Sequence, residues 1–247
     1  MGLYILAFIF GTLIGSFVNV LILRIPNHEN FITERSHCPK CGYVLKPLDL
    51  VPVLSYMALR GRCRNCHEKI SVQYPLIEIL NGVLYLATFA VYGFSINTLL
   101  YFFFIPALIA LSVIDARTFE IPEGFIYYML LLGAVRVATD YRHTLDYVIG
   151  FFSVSLLFLL ILFISKGRAM GGGDVKLMAA TGLIIGWKLN ILALILGCIL
   201  GSVIHLLRMR FKGADHTLAF GPYLSMGVTI ALLYGDRLIE AYLGLFV

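Results

Sequence analysis

The sequence predicts an all-α polytopic membrane protein of about eight transmembrane helices with a small cytoplasmic zinc-binding segment. Three observations predict it. Of 247 residues, 60% are hydrophobic and 13% charged, against about 45–50% apolar and about a quarter charged in soluble domains, and the mean hydropathy is +0.91. Apolar runs recur along the chain, most of them near the roughly 20 residues that cross a bilayer. One polar stretch, residues 24–73, interrupts them and holds two C-x-x-C pairs. In such a chain the net charge of +5 is no nucleic-acid footprint; the placement of the basic residues matters more.

Residues 3–23 are the first run. The chain reads as a first transmembrane helix (1–23), a four-cysteine zinc-binding segment (24–73) and a helical domain (74–247). Residues 1–23 lack a basic n-region and an A-x-A-like exit, so they are expected to be a permanent anchor and not a cleaved signal. Gly11 and Gly15, Gly182 and Gly186, and Gly197 and Gly201 form G-x-x-x-G pairs suited to close helix packing. Asn19, polar within an apolar run, is expected to hydrogen-bond another helix or line a site.

The segment 24–73 is too small for a strong core of its own, so a staple is expected. Cys38, Cys41, Cys63 and Cys66 supply one: C-x2-C, 21 residues, C-x2-C. Four thiolates suit a closed, structural, tetrahedral zinc site; the alternatives are a redox pair or unliganded thiols. His37 and His67 are expected to be bystanders, although either can replace a thiolate. Cys198, alone in a later run, is expected to be a packing residue.

Further runs cover 74–94, 97–114, 123–139, 144–165, 174–187, 189–207 and 220–234. The runs at 174–187 and 220–234 are short; they begin earlier, pack within protein or are broken. Arg136, inside a run, is expected to snorkel or pair. With eight spans, fifteen of the nineteen Lys/Arg fall on one side: eight in 24–73, then Arg117, Lys166, Arg168, Lys176, Arg208, Arg210 and Lys212. Basic loops stay cytoplasmic. The N- and C-termini are therefore expected outside, and the cysteine segment, Asp115 and Asp174 toward the cytoplasm.

Asp174 follows Gly171, Gly172 and Gly173 at the start of an apolar run, and Asp115 ends another. Carboxylates at the mouths of membrane helices are costly and usually mark sites. Asp is also a favoured N-cap, and the cap and catalyst readings of Asp174 are compatible. Two neighbouring carboxylates cannot easily both ionise. One then takes a proton from water while the other hydrogen-bonds a scissile carbonyl, which suffices for amide hydrolysis without a covalent intermediate. The glycines give a substrate backbone room against the helix mouth. The other aspartates, Asp49 among them, are expected to be solvated loop or interface residues. Glu78, near the start of a run, is expected to contact substrate or cofactor. No G-x-S-x-G, H-E-x-x-H or strand-borne G-x-G-x-x-G occurs. An ion-coupled transporter is the alternative from another class, since acids in spans also mark proton relays. Both acids, however, lie near one surface, and no inverted repeat is evident. A zinc-bearing assembly adaptor without catalysis is a third reading.

The strings GSFVNVLILRIP, CPKC, LVPVLSYMALRGRCRNC, ISVQYPLIEIL, VIDARTFEIP, GGGDVKLMAATGLIIGW and FGPYL, in this order from residue 11 to about 225, closely resemble the bacterial type IV prepilin peptidases. The resemblance implies a membrane aspartyl protease of the G-x-G-D class in the bacterial inner membrane, in contact with lipid and with no nucleic-acid partner. It implies cleavage of the basic leader from type IV prepilins and type II secretion pseudopilins. It also implies N-methylation of the new N-terminal residue by S-adenosylmethionine, for which no pattern assigns the residues and Arg60, Arg62, Glu78 and the cytoplasmic segment are the candidates, and zinc in the cysteine segment. Carried over by position, the catalytic acids are Asp115 and Asp174, with Gly171, Gly172 and Gly173 as the substrate-side loop. One departure is Glu123 after Ile121-Pro122, where the family often has Asp.

Overall fold

A computed structural model describes residues 2–168, 170–212 and 218–245, without the side chain of Lys212. Parts of the expected 165–176 and 208–219 connections therefore lie outside the described residues. The described residues form α1 (Gly2–Arg24), α2 (Leu54–Ala58), α3 (Gln73–Tyr92), α4 (Ile96–Thr118), α5 (Glu123–Thr139), α6 (Thr144–Ile164), α7 (Gly172–Ile185), α8 (Trp187–Lys212) and α9 (Gly221–Leu243). No strand occurs among them. The eight longer helices fall on the eight apolar runs. Five regions, comprising α1, α3, α4, α6 with its preceding turn, and α8, are long and apolar enough to cross a membrane.

The other three long helices differ in character. α5 has 17 residues and α7 has 14. α9 has 23 and carries Asp236, Arg237 and Glu240. α7 packs within protein: nine of its residues are buried, Asp174 among them. α9 continues past 234 to Leu243, and α8 carries Arg208 and Arg210 on helix where a loop was expected. Cys198 is exposed on α8, against the expectation of a packing residue. A lipid-facing helix surface is as apolar as a core, so hydropathy does not separate the two.

The chain divides into two compact units, Met1–Ala110 and Leu111–Val247, with α4 running from the first into the second. In unit 1, α1 and α3 pack antiparallel through small residues. A methyl on Gly11 would lie 2.8 Å from Gly82 Cα, and one on Gly15 would lie 2.8 Å from Glu78 Cα. Asn19 Nδ2 donates across the pair to the Tyr74 carbonyl at 3.1 Å, meeting one of its two expectations. Buried Arg24 donates to the carbonyls of Asn30, Glu34 and Arg35, which folds the start of the polar segment back onto the end of α1.

In unit 2, α7 lies between α5 and α6, and α9 lies on α8. The α6–α7 seam is backbone against backbone: a methyl on Gly182 would sit 2.0 Å from the Gly150 carbonyl oxygen. Asn190 of α8 seals it, donating to the Gly150 and Met178 carbonyls and accepting from Thr181 Oγ1. Arg136 pairs with Asp140 at 3.6 Å and lies over the Tyr147 ring, as a basic residue within a run must.

Backbone opposes any side chain at Gly182, so Gly182→Ala is expected to lower stability by about 1–3 kcal/mol. Gly124→Ala, with nothing within 4 Å, is expected to leave stability unchanged. Thermal unfolding of the two variants in detergent checks the contrast.

Candidate active site and metal centre

The C-terminal end of α4 and the N-terminal ends of α5, α7 and α9 meet at one end of unit 2. Asp115 stands in the last turn of α4, and the Phe119 N–H closes the helix on the Asp115 carbonyl at 2.8 Å. The Asp115 side chain is 5% exposed, and its Oδ2 accepts the N–H of Gly221, the first residue of α9, at 3.0 Å. A helix N-terminus has unpaired N–H groups and the positive end of the helix dipole, so it suits a carboxylate. A methyl on Gly221 would lie 2.6 Å from that same Oδ2. Only glycine lets the α9 backbone come this close without displacing the acid.

Asp174 is 8% exposed, in the first turn of α7. It does not cap the helix. The N-cap is Gly171, in extended conformation, and no side chain makes a cap hydrogen bond. The cap reading of the sequence is thereby set aside: three glycines let α7 begin two residues before the acid. Asp174 Oδ1 is buried with no hydrogen-bond partner among the described residues. The two carboxylates are close enough for the charge of one to act on the other. Each acid therefore has its own arrangement: Asp115 held by a backbone N–H, Asp174 with one buried oxygen unpartnered among the described residues.

Around the pair, Gly173 lies against Ile121, where a Cβ would be 3.2 Å from the Ile121 side chain. Gly171 and Gly172 have open space beside them. Lys176 pairs with Glu123 at the start of α5, and the Tyr127 hydroxyl donates to the same carboxylate. The exposed Glu123–Lys176 pair ties the mouths of α5 and α7 together, so the acid at 123 keeps a partner on the α7 turn that bears Asp174. Gly221 is the residue that sequence reasoning missed. Its signal is Phe-Gly-Pro-Tyr at a helix start, where Pro222 fixes the first turn and leaves the Gly221 N–H pointing outward.

In unit 1 the sulfurs of Cys38, Cys41, Cys63 and Cys66 all lie within 4.8 Å of one another. Cys38 to Cys66 is 3.8 Å and Cys41 to Cys63 is 4.0 Å. Tetrahedral coordination with zinc–sulfur bonds of about 2.3 Å places sulfurs about 3.8 Å apart, whereas a disulfide needs about 2.05 Å. All four cysteines are free. The group can hold a metal ion, and neither histidine belongs to it.

Two matching turns build the cluster. In each, the residue after the second cysteine turns left-handed (Gly42 φ 70°, His67 φ 57°), and its N–H returns to the carbonyl of the first, Gly42 to Cys38 and His67 to Cys63. The Tyr43 N–H and then the Asn65 amide hold the Cys41 thiol down at about 6. Cys66 is pushed up to about 12: the Glu68 N–H favours its thiolate, but burial and the neighbouring sulfurs outweigh it. Four thiolates this close need a cation to balance them. Asp49, expected to be a solvated loop or interface residue, joins the two turns, accepting from Arg64 Nε at 2.7 Å and from the Tyr43 hydroxyl at 3.2 Å.

Fold and site together define a helical membrane protein with a buried carboxylate pair in one unit and a four-thiol cluster that can hold a metal ion in the other. The model for the bacterial Peptidase A24 N-terminal domain matches residues 9–92, and that for the type IV leader peptidase family matches residues 102–206. A prepilin leader peptidase/N-methyltransferase of Pseudomonas putida is 32% identical, with 94% of this chain and 91% of that one aligned. Its counterpart in Bacillus subtilis (strain 168) is 33% identical, with 96% of each aligned, and that of Pseudomonas aeruginosa is 30% identical, with 94% and 91% aligned. No solved structure matches. The chain belongs to the type IV leader peptidase family.

The metal centre yields a direct expectation. Purified protein carries one metal ion per chain, and Cys63→Ser or a strong chelator removes it and loosens the 24–73 segment, since metal binding and folding are coupled in such modules. Elemental analysis with limited proteolysis reads both effects; a metal-free preparation with an unchanged digestion pattern would contradict them.

Proposed function

We propose that this protein cleaves the leader from type IV prepilins, and from pseudopilins of type II secretion, and N-methylates the new N-terminus with S-adenosylmethionine. The observation that carries the peptidase reading is the pairing of buried Asp115 and Asp174 at converging helix ends, in a chain whose relatives bear the name prepilin leader peptidase/N-methyltransferase. One carboxylate accepts a proton from water, and the water oxygen attacks the scissile carbonyl. The other carboxyl group hydrogen-bonds the carbonyl oxygen as negative charge develops there. The proton then passes to the leaving amine as the C–N bond breaks. Gly221 keeps Asp115 in place. Gly171, Gly172 and Gly173 leave room for an extended substrate backbone beside Asp174.

The metal of the 24–73 module is read as zinc, since four thiolates at these spacings suit a closed structural site. The site supplies no coordination position for chemistry; its role is to fold the module. The helices 74–247 are read as the protease domain. The module and the site mouth face the cytoplasm of a bacterial inner-membrane protein, as the Lys/Arg distribution indicates. S-adenosylmethionine supplies a methyl group on a cationic sulfur. The chemistry of unit 1 fits the amine that accepts this methyl group: the buried Glu78 carboxylate shares the α1–α3 seam with unpartnered buried amide oxygens, Asn81 Oδ1 and Asn19 Oδ1.

Cleavage of a prepilin by purified protein, followed by product mass, tests the proposal. Asp115→Asn and Asp174→Asn are expected to abolish cleavage and remain folded in the membrane; cleavage by both variants would refute the dyad. Gly221→Ala is expected to cost about 100-fold or more in cleavage rate by displacing Asp115, of the order seen when one positioned catalytic group is lost. The rate should follow a bell in pH, rising as the first carboxyl of the pair ionises and falling as the second loses its proton. A rate flat through the acidic limb would speak against shared protonation.

A further inference from the structure

Four carboxylate side chains are buried among the described residues: Asp49, which is paired with Arg64, and Asp115, Asp174 and Glu78, which have no ion-pair partner there. Asp115 and Asp174 form the pair of unit 2. Glu78 lies in unit 1, in the second turn of α3, where the peptidase chemistry has no use for it. It is 6% exposed and forms no ion pair in the described structure. Its partners are neutral: Oε2 accepts the Val53 N–H at 2.7 Å, and the Ser16 hydroxyl also bonds to the carboxylate. A carboxylate has about four acceptor positions, so two remain. An acid placed this way in an apolar helix pair is expensive and is kept for a use.

The surroundings name the kind of guest. Along the α1–α3 seam, Asn81 sits one turn after Glu78, its Nδ2 bonded to the Gly11 carbonyl and its Oδ1 buried without a partner. On the other side, Asn19 gives its Nδ2 to Tyr74 and Gly15, and its Oδ1 is likewise buried and unpartnered. The donors of the seam are all engaged, while two amide oxygens and part of a carboxylate are not, so it has acceptors in excess and a negative charge. An alkylammonium group has three donors and one positive charge. The Val53 backbone supports the same assignment. At φ 61°, ψ −51° a β-branched residue is a genuine outlier, and such strain gathers at working sites. Val53 belongs to the loop between the two cysteine pairs, so its bond to Glu78 fastens the metal module to this seam.

We propose that Glu78 is the amine-binding base of methyl transfer: its carboxylate receives the N-terminal ammonium of the processed substrate and takes its proton. The proposal rests on the methyltransferase reading above. An N-terminal ammonium has an ordinary pKa of about 7.7–8.0 and cannot attack while protonated. Transfer of one proton to Glu78 leaves a neutral amine and a neutral carboxyl group. The amine lone pair then forms the N–C bond to the methyl group, while the C–S bond of the sulfonium donor breaks and its electron pair stays on sulfur. The products are a secondary ammonium and a neutral thioether, and the charge balances. Asn19 and Asn81 provide acceptors for the amine hydrogens that remain.

The test uses the full-length protein in detergent with Glu78→Gln and Glu78→Ala. Glutamine still offers an oxygen to the Val53 N–H, so it keeps the loop fastened but removes the charge and the base. Two properties are read: methylation of cleaved prepilin by mass, and calorimetric binding of a short peptide with a free N-terminal phenylalanine beside its N-acetylated twin. Wild type is expected to prefer the free amine at least tenfold. Glu78→Gln is expected to lose that preference and about 100-fold or more of the methylation rate, with metal content, thermal midpoint and prepilin cleavage serving as controls for folding. Methylation by Glu78→Gln at the wild-type rate, or an intact preference for the free amine, overturns the proposal. Loss only in Glu78→Ala, with metal release, would show a latch in place of a base and overturn it too. A wild type that cleaves and never methylates would refute the methyltransferase reading by itself; the peptide preference then still decides whether Glu78 binds the amine.

Discussion

The bond from the Gly221 N–H to Asp115 Oδ2 constrains more of unit 2 than any other single contact. Asp115 ends one helix and Gly221 begins another, 106 residues later. For the two to meet, α5 to α8 must return the chain to the same end of the bundle. The approach leaves no room for a Cβ at 221, so the residue type is dictated by the acid it touches. The bond also answers the cost of burying a carboxylate among apolar helices: an otherwise unpaired N–H at a helix mouth replaces water. Asp174 has no such donor on Oδ1. That asymmetry holds one acid by a backbone donor and leaves the other with a buried oxygen unpartnered among the described residues.

Placing Asp174 beside Asp115 falls to α7, which is too short to cross a bilayer and is buried along most of its length. Its position is set by backbone contact, not by interdigitated side chains. Gly150 and Gly182 meet carbonyl to Cα, and Asn190 gathers the carbonyls that such closeness exposes. In hydrocarbon no hydrophobic gain comes from helix association, so close van der Waals contact and internal hydrogen bonds must supply the attraction. The same device joins α1 to α3 through Gly11, Gly15 and Asn81. Both units thus fix a buried acid by setting a glycine seam under it: Gly182 two turns below Asp174, Gly15 directly against Glu78.

Much of this is legible in the sequence. The apolar runs place all eight long helices, and the two C-x-x-C pairs name the four thiols that come together. The glycines before Asp174 mark a helix mouth, and the resemblance pairs it with Asp115. What the sequence does not show has a common physical cause. Lipid-facing and core-facing positions are equally apolar in this chain, so periodicity does not say which face of α8 is outward, and Cys198, expected to pack inside, lies outside. The Gly221–Asp115 and Val53–Glu78 bonds join backbone N–H groups to acids 106 and 25 residues away. Backbone donors are the same at every residue and leave no mark on composition. The cap reading of Asp174 fails for a local reason: with three glycines available, the helix starts earlier than an N-cap rule would place it.

The separation of the three buried acids without an ion-pair partner suits what each proposed chemistry demands. Hydrolysis of an amide by water needs two carboxyl groups sharing protons, one to take and one to give, and neither may be neutralised by a fixed cation. Deprotonating an ammonium needs the reverse: a single carboxylate with no second acid nearby to compete for the proton, and neutral neighbours with acceptor oxygens to spare. A dyad would bind an ammonium as a salt and hold its proton between two oxygens, and a lone acid would leave a scissile carbonyl without its donor. Asp115 and Asp174 in unit 2 meet the first requirement, and Glu78 among Ser16, Asn19, Asn81 and the Val53 N–H in unit 1 meets the second. The strained Val53 turn then ties the metal module to the second site. Loss of the metal should therefore loosen the Val53 turn and act on the lone acid it holds.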